Sequence, residues 1–188
     1  AELHQRIMDE VIYPTVQGMA KEDAPYTGFL YAGLMIDATG TPKVIEYNCR
    51  FGDPETQPIM MRLKSDIVEL CLLACAGKLD TATIDFDPRP AVGVVLAAGG
   101  YPGTYAKGKV ISGLETNQHP DRKTFHAGTT EINGEIVTAG GRVLCATALG
   151  ETVTQAQKSA YALLHEISWE EVQFRTDIAY RAIAREQS

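Results

Sequence analysis

The chain has 188 residues, of which 45% are hydrophobic and 22% charged, and its formal net charge at pH 7 is −7. This is ordinary globular composition, which excludes a disordered or low-complexity chain, and the acidic balance without a basic run argues against a nucleic-acid partner. The longest apolar stretch, residues 67–76, is broken by Glu69 and is too short to cross a bilayer, so no membrane association is expected.

In chain order, residues 2–17 place Leu3, Ile7, Val11 and Ile12 at helical spacing, with Pro14 expected to end or kink the helix. Residues 29–36 are almost wholly apolar and residues 43–49 are rich in β-branched and aromatic side chains. The polar run 37–42 between them predicts an antiparallel hairpin. Ser65 then reads as the cap of an amphipathic helix over 66–76, on which Cys71 and Cys75 read as small core side chains. Residues 78–90, with three Asp and two Pro, read as a crossing between two parts of the chain. Beyond it a buried strand is expected at 91–98 and short strands at 124–127, 130–133, 135–138 and 142–149, with Asn133-Gly134 a strong hairpin signal. Helices are expected at 152–167 and 177–185. The four cysteines show no spacing suited to a structural zinc site. Free thiols and the absence of a leader pattern lead to a cytoplasmic expectation.

The stretch that carries chemistry is Glu46-Tyr47-Asn48-Cys49-Arg50-Phe51-Gly52-Asp53-Pro54-Glu55-Thr56-Gln57. On a strand, Glu46, Asn48 and Arg50 share one face and Tyr47 and Cys49 the other, towards an apolar layer. The hard oxygens of Glu46 and Asn48 suit Mg²⁺, and the Arg50 guanidinium suits a phosphoryl oxygen. The same three residues would also serve as a plain solvated strand face. Asp53 could orient ribose hydroxyls or an amine, or it could simply open a turn and cap a helix; Glu55 is a weaker candidate. In Gly140-Gly141-Arg142 the glycines would let a ligand approach the backbone and Arg142 would meet a phosphate, unless the segment is only a surface turn. Lys107-Gly108-Lys109 is a lesser candidate of the same kind. His126, between apolar neighbours, reads as a core histidine.

The Glu46-x-Asn48-x-Arg50 triplet on the second strand of a hairpin resembles the metal-binding signature of ATP-grasp enzymes. The longer string EYNCRFGDPETQ, with TGFLYAGLMID before it and GYPGTYAKG, FHAGT and AGGRVLCATALG after it, resembles the glycinamide ribonucleotide synthetase family from about residue 3 to about residue 183. That resemblance implies an α+β chain in two parts. Residues 1–80 would be the C-terminal portion of an ATP-grasp domain, a hairpin with helices; 81–90 would be a linker, and 91–188 a small mixed-sheet C-terminal domain with helices. It implies an ATP-dependent ligase joining glycine to phosphoribosylamine through a glycyl phosphate, with ATP and Mg²⁺ (or Mn²⁺) as cofactors. Glu46 and Asn48 would hold the metal, Arg50 would act catalytically on the phosphoryl group, and Arg50, Asp53 and Arg142 would bind substrate. The family's N-terminal substrate- and ATP-binding parts are not in these residues, so the piece alone is expected to be inactive. An acid that many ATP-grasp enzymes place on the facing strand is also missing from 29–36. Another ATP-grasp carboxylate–amine ligase, or a non-catalytic module, are the alternative readings.

Overall fold

The structure is a computed structural model, and it describes residues 2–114 and 119–187. The chain opens with α1 (Glu2–Ile7), a π-helical turn (Met8–Ile12) and α2 (Tyr13–Lys21), followed by β1 (Tyr31–Ile36) and β2 (Pro42–Asn48). Next come α3 (Thr56–Arg62), α4 (Ile67–Cys75), a 3₁₀ turn (Leu79–Thr81) and β3 (Ala91–Ala97). The chain then forms β4 (Arg122–His126), β5 (Thr129–Ile132), β6 (Glu135–Thr138) and β7 (Arg142–Leu149), and closes with α5 (Val153–His165) and α6 (Tyr180–Glu186). It is an α+β chain of antiparallel sheets and helices. The residues group into two compact units, Ala1–Gly52 with Ser65–Thr83, and Asp53–Lys64 with Ile84–Ser188. Thus α3 belongs to the second unit although it precedes α4 in the chain.

In the first unit β1 and β2 pair antiparallel, with a register shift between Gly33 and Leu34. The loop is tied by Asp37, whose Oδ1 accepts from the amides of Thr39 (2.9 Å) and Thr41 (3.0 Å) and from the Thr39 hydroxyl. These donors, the Thr39 hydroxyl foremost, pull the Asp37 carboxyl down to about 2. Pro14 neither ends nor interrupts the first helix, which runs on to Lys21. The reason is local: the last N–H of the π turn, that of Tyr13, bonds to Met8 O, so the residue without a donor falls where the wider turn needs none. Helix α4 is capped by Asp66 rather than Ser65, its Oδ1 accepting from the amides of Val68 (2.8 Å) and Glu69 (3.3 Å). No side chain of α4 is buried, and Cys71 and Cys75 are exposed instead of forming a core. The helix is apolar on more than one side, and its Val68 and Leu72 are 63% and 66% exposed.

The second unit is built on the sheet β3-β7-β4, with a separate β5–β6 hairpin. Alternation along β3 buries Val92, Val94 and Leu96, which meet Leu144, Ala146 and Ala148 of β7 and Ala160, Leu163 and Leu164 of α5. Each fully buried leucine here contributes about 2 kcal/mol of transfer free energy. On the other face Pro58 of α3 lies against Gly93, where an added Cβ would come within 3.2 Å of Pro58 Cγ and 3.1 Å of Cys145 Sγ. Cys145 is buried, and this burial raises its thiol pKa. Thr152 caps α5 as its position suggests, and Glu186 of α6 adds a second cap by accepting from the amides of Val153 and Thr154. The last helix begins at Tyr180 rather than at 177. Asp177 pairs with Arg175 and Ala179 adopts φ 68°, so helical geometry cannot start before Tyr180.

Candidate functional site

Strand β2 brings Glu46 and Asn48 together. They stand two residues apart on one face, and Asn48 Nδ2 donates to Glu46 Oε1 at 3.1 Å. The bond takes the amide nitrogen and one carboxylate oxygen, and leaves Asn48 Oδ1 and Glu46 Oε2 as hard oxygen donors. Across the hairpin Glu46 faces Gly33, and a Cβ built there would lie 3.1 Å from Glu46 Cγ. The facing strand therefore offers no acid, as its sequence indicates, but gives the carboxylate room. Among the described residues no group of three or more His, Cys, Asp or Glu converges on a point. A divalent ion held here would take two protein oxygens and fill its shell with phosphate oxygens and water, which is the habit of Mg²⁺ rather than of zinc.

Arg50 departs from the expected strand face. Strand β2 ends at Asn48, and Arg50 lies in the following bend with its Nη1 donating to Phe51 O at 2.9 Å. The bend is held by Phe51, whose ring lies 4.1 Å from that of Phe29 just ahead of β1. Tyr47 and Cys49 do face an apolar layer: they line a cavity of about 140 Å³ with Val16, Met19, Tyr26 and Leu30. The Tyr47 hydroxyl is 2.7 Å from Thr15 Oγ1 on α2. The Tyr26 phenol is pushed up by burial and, secondarily, by its hydrogen bond with Cys49.

In the second unit the two remaining candidates meet each other. Arg142 Nη2 lies 3.0 Å from Asp53 Oδ2 and Nη1 donates to the Asp53 carbonyl at 3.1 Å. The side chains are 41% and 48% exposed, and a pair this open adds about 1 kcal/mol or less to stability. Asp53 does not cap α3; that position falls to Glu55, which makes no side-chain cap bond. The glycines before Arg142 allow close packing. A Cβ on Gly141 would sit 2.2 Å from the Tyr101 ring, and one on Gly140 would sit 2.9 Å from Gly128 Cα. Lys109 is engaged by Glu170. His126 is exposed and lies 3.0 Å from Thr129 Oγ1, so it is not a core histidine. No pattern in the sequence signals the Asp53–Arg142 pairing, since the partners are 89 positions apart.

Residues 1–56 match the family model "Phosphoribosylglycinamide synthetase, ATP-grasp (A) domain", and residues 91–181 match "Phosphoribosylglycinamide synthetase, C domain". The chain belongs to the phosphoribosylglycinamide synthetase family. It is 66% identical over 187 residues to a phosphoribosylamine–glycine ligase of Vibrio cholerae, covering 100% of this chain and 44% of that protein. With the Pseudomonas aeruginosa ligase of the same name it shares 64% identity, again over 100% of this chain and 44% of the relative. A crystal structure of phosphoribosylamine–glycine ligase from Thermotoga maritima superimposes with a TM-score of 0.77 at 37% identity, covering 92% of this chain and 42% of that one. The chain thus spans less than half the length of the curated relatives it matches.

Proposed function

We propose that this chain is part of an ATP-dependent ligase that joins glycine to 5-phosphoribosylamine, giving glycinamide ribonucleotide for purine biosynthesis in the cytoplasm. The observation that carries the reading is the hydrogen-bonded Glu46–Asn48 pair on the open face of β2, with glycine opposite, inside the segment that matches an ATP-grasp domain. Glu46 and Asn48 would hold Mg²⁺ or Mn²⁺, which when bound shields the negative charge of the ATP phosphates. Arg50, just beyond the strand, would turn its guanidinium from Phe51 O to the phosphoryl group in transit to the glycine carboxylate. The amine of phosphoribosylamine then attacks the resulting acyl phosphate and phosphate leaves. Asp53 and Arg142 would serve the phosphoribosylamine side of the reaction. The relatives' names support the choice of glycine over another carboxylate.

The test is a ligation assay on a full-length synthetase carrying these residues. ATP hydrolysis coupled to product should need glycine and phosphoribosylamine together. A preference for a different carboxylate would place the chain with other ATP-grasp ligases. The 188 residues alone should form no product.

A further inference from the structure

Asp53 and Arg142 entered as two separate substrate contacts, yet the geometry joins them into one. Arg142 spends two nitrogens on a single residue, Nη2 on the Asp53 carboxylate (3.0 Å) and Nη1 on the Asp53 carbonyl (3.1 Å). A guanidinium that grips both the side chain and the peptide of one residue fixes that residue's carboxylate and its backbone at once, because its donors form a rigid planar fork. The holder is itself anchored. Arg142 begins β7 opposite Ala97, where the register shifts. Its neighbour Gly141 accepts a hydrogen bond at its carbonyl from the Ala98 amide at 2.8 Å and lies beneath the Tyr101 and Tyr105 rings, too close for any Cβ. Asp53, by contrast, stands in a turn ahead of α3, where no helix or strand bonding fixes it. The rigid member is therefore Arg142 and the member that needs placing is Asp53. A phosphate reaching Arg142 would have to displace a carboxylate already in place.

We propose that Arg142 is a positioning residue, which holds the Asp53 side chain in place and aimed for the amine or ribose hydroxyls of the phosphoribosylamine substrate, and is not itself a phosphate contact. This rests on the ligase reading above. Asp53 is the residue that touches substrate; Arg142 acts through it.

The experiment uses the full-length synthetase and compares Arg142→Met, Arg142→Lys, Asp53→Asn and the double Asp53→Asn/Arg142→Met. For each, kcat and the KM for phosphoribosylamine are measured, with ribose 5-phosphate binding by calorimetry as a readout independent of turnover. The expected result is a fall in kcat of roughly 10- to 100-fold for Arg142→Met, with KM and ribose 5-phosphate affinity held within about threefold. Arg142→Lys recovers part of the rate, and the double variant is no slower than Asp53→Asn alone, since residues acting as a unit do not add. Loss of ribose 5-phosphate binding by about tenfold or more in Arg142→Met, or losses that multiply in the double variant, would overturn the proposal. Should Arg142→Met not fold, the decision passes to Arg142→Lys: reduced kcat at unchanged sugar-phosphate affinity supports positioning, and weakened affinity refutes it. A wild-type enzyme that binds ribose 5-phosphate but makes no glycinamide ribonucleotide would instead sink the ligase reading on which the inference stands.

Discussion

Glu46 can be tested without disturbing the fold, because its side chain is exposed and, among the described residues, bonds to Asn48 two positions away. Glu46→Gln keeps the shape and removes the charge that would face the metal. In the full-length enzyme kcat should fall by about 10²–10³, the usual loss for one electrostatic group acting on the transition state, with partial recovery at high Mg²⁺ and an unchanged Tm. Full activity would show that Glu46 is not a ligand. Asp37 offers a pH test in the same hairpin. Its carboxyl is depressed to about 2 in the folded chain, so the stability it lends is fully present above its ordinary value near 4 and is lost as pH falls towards 2. Amide signals of Thr39 and Thr41 followed by NMR should move together across that window, and Asp37→Asn should remove the transition. The shared face of Glu46 and Asn48 was legible because the two are near neighbours in sequence on one strand. Arg50 was misplaced by the extrapolation of strand alternation two residues past the strand's end, where the Phe29–Phe51 contact turns the chain.

The hairpin β1–β2 was readable from its two apolar runs and polar loop, and the strands of the second unit from their alternation. What the pattern could not supply was the bulge at Gly33/Leu34, since register depends on cross-strand fit rather than on either strand alone. That fit makes a prediction. Gly33→Ala should fold as well as the parent, because alanine suits a strand interior better than glycine. Its Cβ would nevertheless press on Glu46 Cγ at 3.1 Å and turn the carboxylate. The expected signature is an unchanged Tm together with a lower apparent Mg²⁺ affinity in the full-length enzyme, and a larger loss for Gly33→Val. Equal Mg²⁺ affinity in all three would mean that the space beside Glu46 is not used. Helix α4 shows the converse limit: its composition reads as core, yet among the described residues nothing buries Val68 or Leu72.

Across the whole chain, the assignment of Asp53–Lys64 to the second unit was not visible in composition. Its cause is long-range packing, Pro58 on Gly93 and Asp53 on Arg142, which leaves no local trace. The thiols report on it. In the 188-residue chain Cys49, Cys71 and Cys75 should react readily with an alkylating reagent, while Cys145 reacts only on unfolding. A polypeptide restricted to residues 91–188 lacks α3, so its Cys145 should become reactive without denaturant; continued protection would show that α3 is not the cover. The same interleaving has a consequence for synthesis. A ribosome delivers α3 well before the sheet it covers, so this short helix must wait, tethered through α4, for β3 and β7 to emerge. Only with the arrival of Arg142 can Asp53 find its partner, so the turn ahead of α3 stays adjustable until late in the chain's birth.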